Sequence, residues 1–123
     1  MNEICQDYKV RMEMLNNRIP RNIGTKTYVE KITGWHRDRN LIHGSTDKDQ
    51  FCKLMQEAGE LSDSICKGKD LSDDIGDMLV VLINIAERNN LSIKDCLEKA
   101  WNDIKDRKGK MVDGVFVKEA DLK

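Results

Sequence analysis

The chain has one proline in 123 residues and only 5% aromatic residues. Strands of a β-sandwich draw on aromatic and β-branched residues, and single-stranded nucleic-acid binders draw on aromatic stacking platforms, so both classes are disfavoured. The four cysteines, Cys5, Cys52, Cys66 and Cys96, contain no Cys-x-x-Cys pair, which removes the zinc-ribbon and thioredoxin patterns. Cys52 and Cys66 fall on one predicted helix about 21 Å apart at 1.5 Å per residue, too far to bridge, so reduced and partly buried thiols are expected. Long apolar runs are missing too: the longest is Met78–Ile83. The first residues, Met-Asn-Glu-Ile-Cys-Gln-Asp, lack the basic-then-apolar order of a secretion signal. A cytoplasmic protein with no membrane partner is therefore expected.

Charge of one sign is also lacking overall, with 21 basic and 22 acidic residues. The distribution is uneven: residues 57–77 carry seven acidic and two basic side chains, behind a front, residues 1–56, with ten basic and seven acidic. Binding to a nucleic-acid polymer needs the opposite, a basic stripe, and is not expected. Carboxylates packed together are costly unless solvated or neutralised by a cation.

What is present suits helices. The length is that of one domain, residues 1–123, able to bury about two-thirds of its unfolded surface without staples. Hydrophobic and charged residues make up 39% and 35% of it. Ile4, Tyr8, Met12, Leu15 and Ile19 recur at helical spacing ahead of Pro20. A second helix is predicted from about Thr25 to Leu41, with Tyr28, Ile32 and Trp35 on one side. The clearest runs from Asp47 to Lys67, where Phe51, Leu54, Met55, Ala58, Leu61 and Ile65 form a stripe that Gly68 is placed to end. Asp70 is a candidate cap for the next helix, Leu71 to about Asn89, which is apolar over most of its circumference. Ser92 opens a last helix to about Lys108, with Ile93, Leu97, Ala100, Trp101 and Ile104 expected inward. Beyond it, two short apolar runs flank Asp113-Gly114, a hairpin or extended tail. The expected fold is all-α, an antiparallel bundle of four to five helices with that short tail.

Chemistry concentrates on two consecutive helices. Glu57 and Glu60 stand at i, i+3 on one, Asp74 and Asp77 at i, i+3 on the next. A connection as short as Cys66 to Asp70 makes the two helices an antiparallel hairpin, so the four carboxylates can converge. Hard oxygen donors suit Mg²⁺ or Mn²⁺, and no histidine lies at helical spacing to any of them, unlike the di-iron bundles. The bland alternative is a solvated acidic face. Two such pairs in a row count against it, as does the position of Asp77 directly before Met78-Leu79-Val80-Val81, where an unpaired charge is expensive.

Glu57-Ala58-Gly59-Glu60, thirteen residues, then Asp74-Ile75-Gly76-Asp77 resembles the ExxE…ExxD signature of the MazG-like, all-α nucleoside triphosphate pyrophosphohydrolases. The flanks Lys53–Gln56 and Met78-Leu79 are similar too, as are Trp35–Asn40 upstream and Asn102-x-x-Lys105-x-Arg107 downstream, so the resemblance spans roughly residues 28–118. Asp74 departs from the family's usual Glu, and Asp73 beside it can substitute.

The resemblance implies cleavage between the α- and β-phosphates of a nucleoside triphosphate with Mg²⁺, or Mn²⁺, held by Glu57, Glu60, Asp74 and Asp77. Either Glu57 or Glu60 handles the water. Lys105 and Arg107 are implied for the triphosphate; each alone is equally well read as a cation favoured at a helix C-terminus. Lys53, Asn84, Asn102, Trp35 and Arg39 complete the candidate substrate contacts, with Trp35 as readily a core residue and Lys53 as readily the helical partner of Glu57. His36 and His43 read as surface residues by default, His36 also as a possible substrate contact.

On this reading residues 1–24 are an extension, 25–110 the catalytic core and 111–123 the tail. The apolar helix Leu71–Asn89 exceeds what one copy covers, which points to a homodimer or homotetramer. The competing reading is a non-enzymatic helical adaptor or regulatory module with an acidic metal- or partner-binding surface.

Overall fold

The computed structural model describes residues 27–122. The expected first helix, with Cys5, lies outside them. Four helices follow in order: α1 (Tyr28–Asp38), α2 (Asp47–Cys66), α3 (Ser72–Arg88) and α4 (Ile93–Ile104). Strands β1 (Gly109–Val112) and β2 (Val115–Lys118) and a 3₁₀ turn (Glu119–Asp121) close the described chain. None of the helices among the described residues is long and apolar enough to cross a membrane.

Local chemistry sets the boundaries. The Thr27 hydroxyl accepts from the Glu30 amide and opens α1. Thr46 and Asp49 form a reciprocal capping box at the start of α2. That helix ends in a Schellman motif: Gly68 takes φ +66°, its amide bonds Ile65 O, and the Lys69 amide reaches back to Ser64 O. Asn40 and Asn90, at φ 57° and 56°, end α1 and α3 in the same way. Asp70 sits one residue further out than a cap: its carboxylate accepts from both the amide and hydroxyl of Ser72, and α3 begins at Ser72 rather than Leu71.

The α2/α3 pair is the predicted antiparallel hairpin. Arg88 and Asn89 at the far end of α3 both bond Asp47 at the start of α2, and Arg88 also donates to the Ile42 carbonyl. Helix α1 crosses α3, joined by the Arg37–Glu87 ion pair. Ile42, Val81, Ile83 and Ala86 are the buried apolar residues at this junction.

Two expectations fail in instructive ways. Helix α4 ends at Ile104, not Lys108, and its stripe does not turn inward: Leu97, Trp101 and Ile104 are 64%, 60% and 51% exposed. The reason is that α4 meets α3 only near their junction and then leaves the body of the fold. Cys52, Cys66 and Cys96 are unbridged but exposed rather than partly buried. The tail does form a hairpin, with Gly109 opposite Lys118 and Asp113-Gly114 both at positive φ, as a two-residue turn that matches strand twist requires.

Candidate metal centre

Helical spacing on α2 aligns Gln50, Lys53, Glu57 and Glu60 along one face, and the hairpin brings Asp77 of α3 against it. One carboxylate oxygen from each of Glu57, Glu60 and Asp77 lies within 4.8 Å of the others. Glu57 is only 7% exposed, Asp77 half-buried and Glu60 exposed. The Glu57 Oε1 atom meets Lys53 Nζ at 3.2 Å, whereas Oε2 is buried without a hydrogen-bond partner. A buried carboxylate oxygen with no donor is a costly arrangement that a cation would relieve.

The same crowding shows in proton affinity. Glu60 is held above the ordinary carboxylate range first by the hydrogen bond it would make, when protonated, to Glu57, then by repulsion from Glu57. Asp77 is raised by desolvation, then by Asp73, Glu57 and Asp74, with Lys53 opposing. Asp74 stays outside the three-carboxylate cluster and contributes to the negative field on both.

The donor set fits a hard divalent cation. Ligands on opposite sides of Mg²⁺ at 2.0–2.1 Å lie about 4.2 Å apart, so oxygens already within 4.8 Å need only small rotamer adjustments to share one.

Beside the carboxylates lies a cavity of about 320 Å³ lined by Trp35, His36, Gln50, Lys53, Glu57 and Asp77, with Leu41, Val80 and Val81 closing its apolar side. Trp35 is 44% exposed; the Arg39 guanidinium lies 4.3 Å from its ring centroid. Its neighbour His36 meets the indole edge-on. His36 is buried, against the surface reading. A carbonyl only accepts, so His36 Nε2–H donates to Val80 O at 2.9 Å and Nδ1 accepts from Asn84 Nδ2 at 3.2 Å. Asn84 also donates to Leu41 O.

Of the sequence candidates, Glu57, Glu60, Asp77, Lys53 and Trp35 are thus brought together, with Arg39 behind Trp35. Asn84 is not at the cavity wall: it is fully buried and holds His36 and the Leu41 carbonyl. Asn102 lines a separate groove on α4, and Lys105 and Arg107 are exposed beyond it, Arg107 facing Asp103 at 3.8 Å. Sequence reasoning missed Gln50 as a lining residue and misplaced His36. Spacing carried both signals: Gln50, Lys53 and Glu57 stand at i, i+3, i+7, and Val29, Ile32 and His36 repeat that on α1.

A helical hairpin that clusters three carboxylates beside an aromatic and cationic cavity could hold a divalent cation. The MazG nucleotide pyrophosphohydrolase domain matches residues 46–112, more than half of the chain, and the protein belongs to this family. It is also 42% identical over 73 residues to an uncharacterized 18.2 kDa protein of the rep-hol intergenic region of Haemophilus phage HP1; the match covers 58% of this chain and 44% of that protein. The chain thus spans less than half the length of that curated relative. No solved structure matches.

Proposed function

We propose that the protein hydrolyses a nucleoside triphosphate between its α- and β-phosphates, in a Mg²⁺-dependent reaction that yields a monophosphate and pyrophosphate. The observation that carries this reading is the convergence of Glu57, Glu60 and Asp77, with Glu57 Oε2 buried and unpartnered, inside a family of nucleotide pyrophosphohydrolases. Those three residues would hold the cation, with Asp74 as a further acidic neighbour and Mn²⁺ as a substitute. When bound, the cation neutralises phosphate charge and acidifies the attacking water.

The chain's own groups do the rest. Glu60 is exposed and its proton affinity is raised, which suits it to take a proton from water, with Glu57 beside it as the alternative base. Lys53 is within reach to turn from Glu57 toward a phosphate oxygen. Trp35, backed by Arg39, offers a flat wall to a base. Residues 25–110 form the catalytic core, working in the cytoplasm as a homodimer or homotetramer. Exposed apolar residues of α3, Ile75 and Leu79 among them, support the assembly.

The test is incubation with each common and modified nucleoside triphosphate plus Mg²⁺, with products followed by ³¹P NMR. Monophosphate and pyrophosphate are expected. Orthophosphate release would place cleavage at the β–γ bond, and no product from any nucleotide would favour the adaptor reading.

A further inference from the structure

A glutamine side chain loses much rotamer freedom when it is fixed, so one that is held in place on a half-buried surface calls for a reason. Gln50, in the first turn of α2, is held: its Nε2 donates to Ser45 Oγ at 2.9 Å. The anchor is itself fixed. Asn40 turns the chain at φ 57°, the Gly44 amide bonds Asn40 O at 3.1 Å, and a Cβ on Gly44 would stand 2.5 Å from that same oxygen, so the loop before Ser45 closes too tightly for any residue but glycine. Directly after Ser45, Thr46 and Asp49 close the capping box. A tight loop on one side and a capped helix on the other thus orient the Gln50 amide.

That amide belongs to the wall of the cavity that Trp35, Lys53, Glu57 and Asp77 also line. Gln50, Lys53 and Glu57 share one face of α2, and seven residues of helix set Gln50 about 10.5 Å from Glu57 along the axis. This span is comparable to the reach of a nucleotide from its α-phosphate to the far edge of its base. A substrate with its phosphates at the carboxylates and its base against Trp35 therefore brings the base edge to Gln50. A glutamine amide offers two N–H donors and one carbonyl acceptor. Ser45 engages the nitrogen, and Oε1 is left to accept. The group on a base edge that donates to such an acceptor is an exocyclic amino group, N4 of cytosine or N6 of adenine. Uracil and hypoxanthine carry a carbonyl oxygen at the same place, and two acceptors face to face beside the apolar side formed by Leu41, Val80 and Val81 leave both unpaired.

We propose that Gln50, oriented by Ser45, is the specificity-determining residue of this cavity: its Oε1 accepts from the exocyclic amino group of the substrate base, so that amino bases are taken in preference to their keto counterparts. The inference rests on the pyrophosphohydrolase reading for the substrate and adds which bases it carries.

The test compares CTP with UTP and ATP with ITP, pairs that differ at that amino position, in ribo- and 2′-deoxy forms. The readout is kcat/KM for pyrophosphate release with Mg²⁺. Wild type should favour the amino member of each pair about tenfold or more, as a site built to hydrogen-bond its substrate does. Gln50→Met keeps the length of the side chain and loses the amide; it should bring both ratios to within about twofold, chiefly by raising KM for the amino member. Ser45→Ala leaves the amide in place but unanchored and should keep part of the preference. A Gln50 that only ties the loop to α2 makes a different prediction, because Ser45→Ala breaks the same bond. Both variants would then lose the same activity on all four bases with the ratios unchanged, and that result would overturn the proposal. So would a wild type that hydrolyses the members of each pair equally or prefers the keto member, a result that needs no variant to fold. Pyrophosphate from none of the nucleotides would instead overturn the pyrophosphohydrolase reading, and the base assignment with it.

Discussion

Replacing Asp77 by Asn should stabilise the metal-free protein while removing its response to metal. Asp77 and Glu57 carry oxygens no more than 4.8 Å apart. At that distance two like charges repel by about 1 kcal/mol in a water-like dielectric and about 3.5 kcal/mol at an effective value near 20. Lys53, 3.2 Å from Glu57, offsets part of this, so a net relief of about 1 kcal/mol is the reasoned figure. For a domain of this size that is a rise of about 4 °C in Tm.

Mg²⁺ at about ten times its Kd adds about 1.4 kcal/mol to a protein that binds it and nothing to one that does not. Melts followed by circular dichroism should therefore change order: in EDTA the variant melts above wild type, and in saturating Mg²⁺ wild type draws level or passes it. Asp63→Asn is the control, because Asp63 makes only an exposed pair with Lys67 and should change stability by a few tenths of a kcal/mol at most, roughly a degree in Tm. If Asp77→Asn melts at or below wild type in EDTA, and Mg²⁺ raises both equally, repulsion at a shared cation site is the wrong physics.

The pH dependence follows with a definite sign. Because the folded Asp77 and Glu60 carboxyls bind protons more tightly than ordinary carboxyls, their contribution to stability is present below the unfolded values and is lost as pH rises through the folded ones. In EDTA the Tm gap between Asp77→Asn and wild type should narrow as pH falls from neutral toward about 4, and a constant gap would count against this. Asn84→Ala should cost about 2–3 kcal/mol in urea unfolding, since it strips partners from the Leu41 carbonyl and His36 and leaves a void. Trp35→Ala should raise KM about tenfold with a smaller change in kcat, and Trp35→Phe should recover part of it, as expected for a stacking wall.

Much of this was legible from spacing. The i, i+3 carboxylate pairs and the short Lys67–Leu71 connection were enough to bring Glu57, Glu60 and Asp77 together, because helix geometry and a tight Schellman turn leave an antiparallel hairpin little choice. Gly68 and Asp113-Gly114 marked turns that the backbone takes at positive φ. Asn84 was read as a substrate contact but lies fully buried against His36 and the Leu41 carbonyl, since periodicity gives direction and not what packs above. The α4 stripe misled for the opposite reason: amphipathicity marks Leu97, Trp101 and Ile104 as one apolar face, without saying that the body of the fold packs against it. The α1 spacing Val29, Ile32, His36 carried the burial of His36, but its bond to Asn84, 48 residues away, is a contact no local pattern encodes.

The central claim, that the α2/α3 carboxylates form a divalent-metal centre, is tested most directly by titrating Mn²⁺ and following the free ion by electron paramagnetic resonance. Wild type and Asp63→Asn should deplete the free-ion signal equally, and Glu57→Gln should leave it nearly undiminished. Equal depletion by Glu57→Gln would contradict the assignment of the centre to these residues.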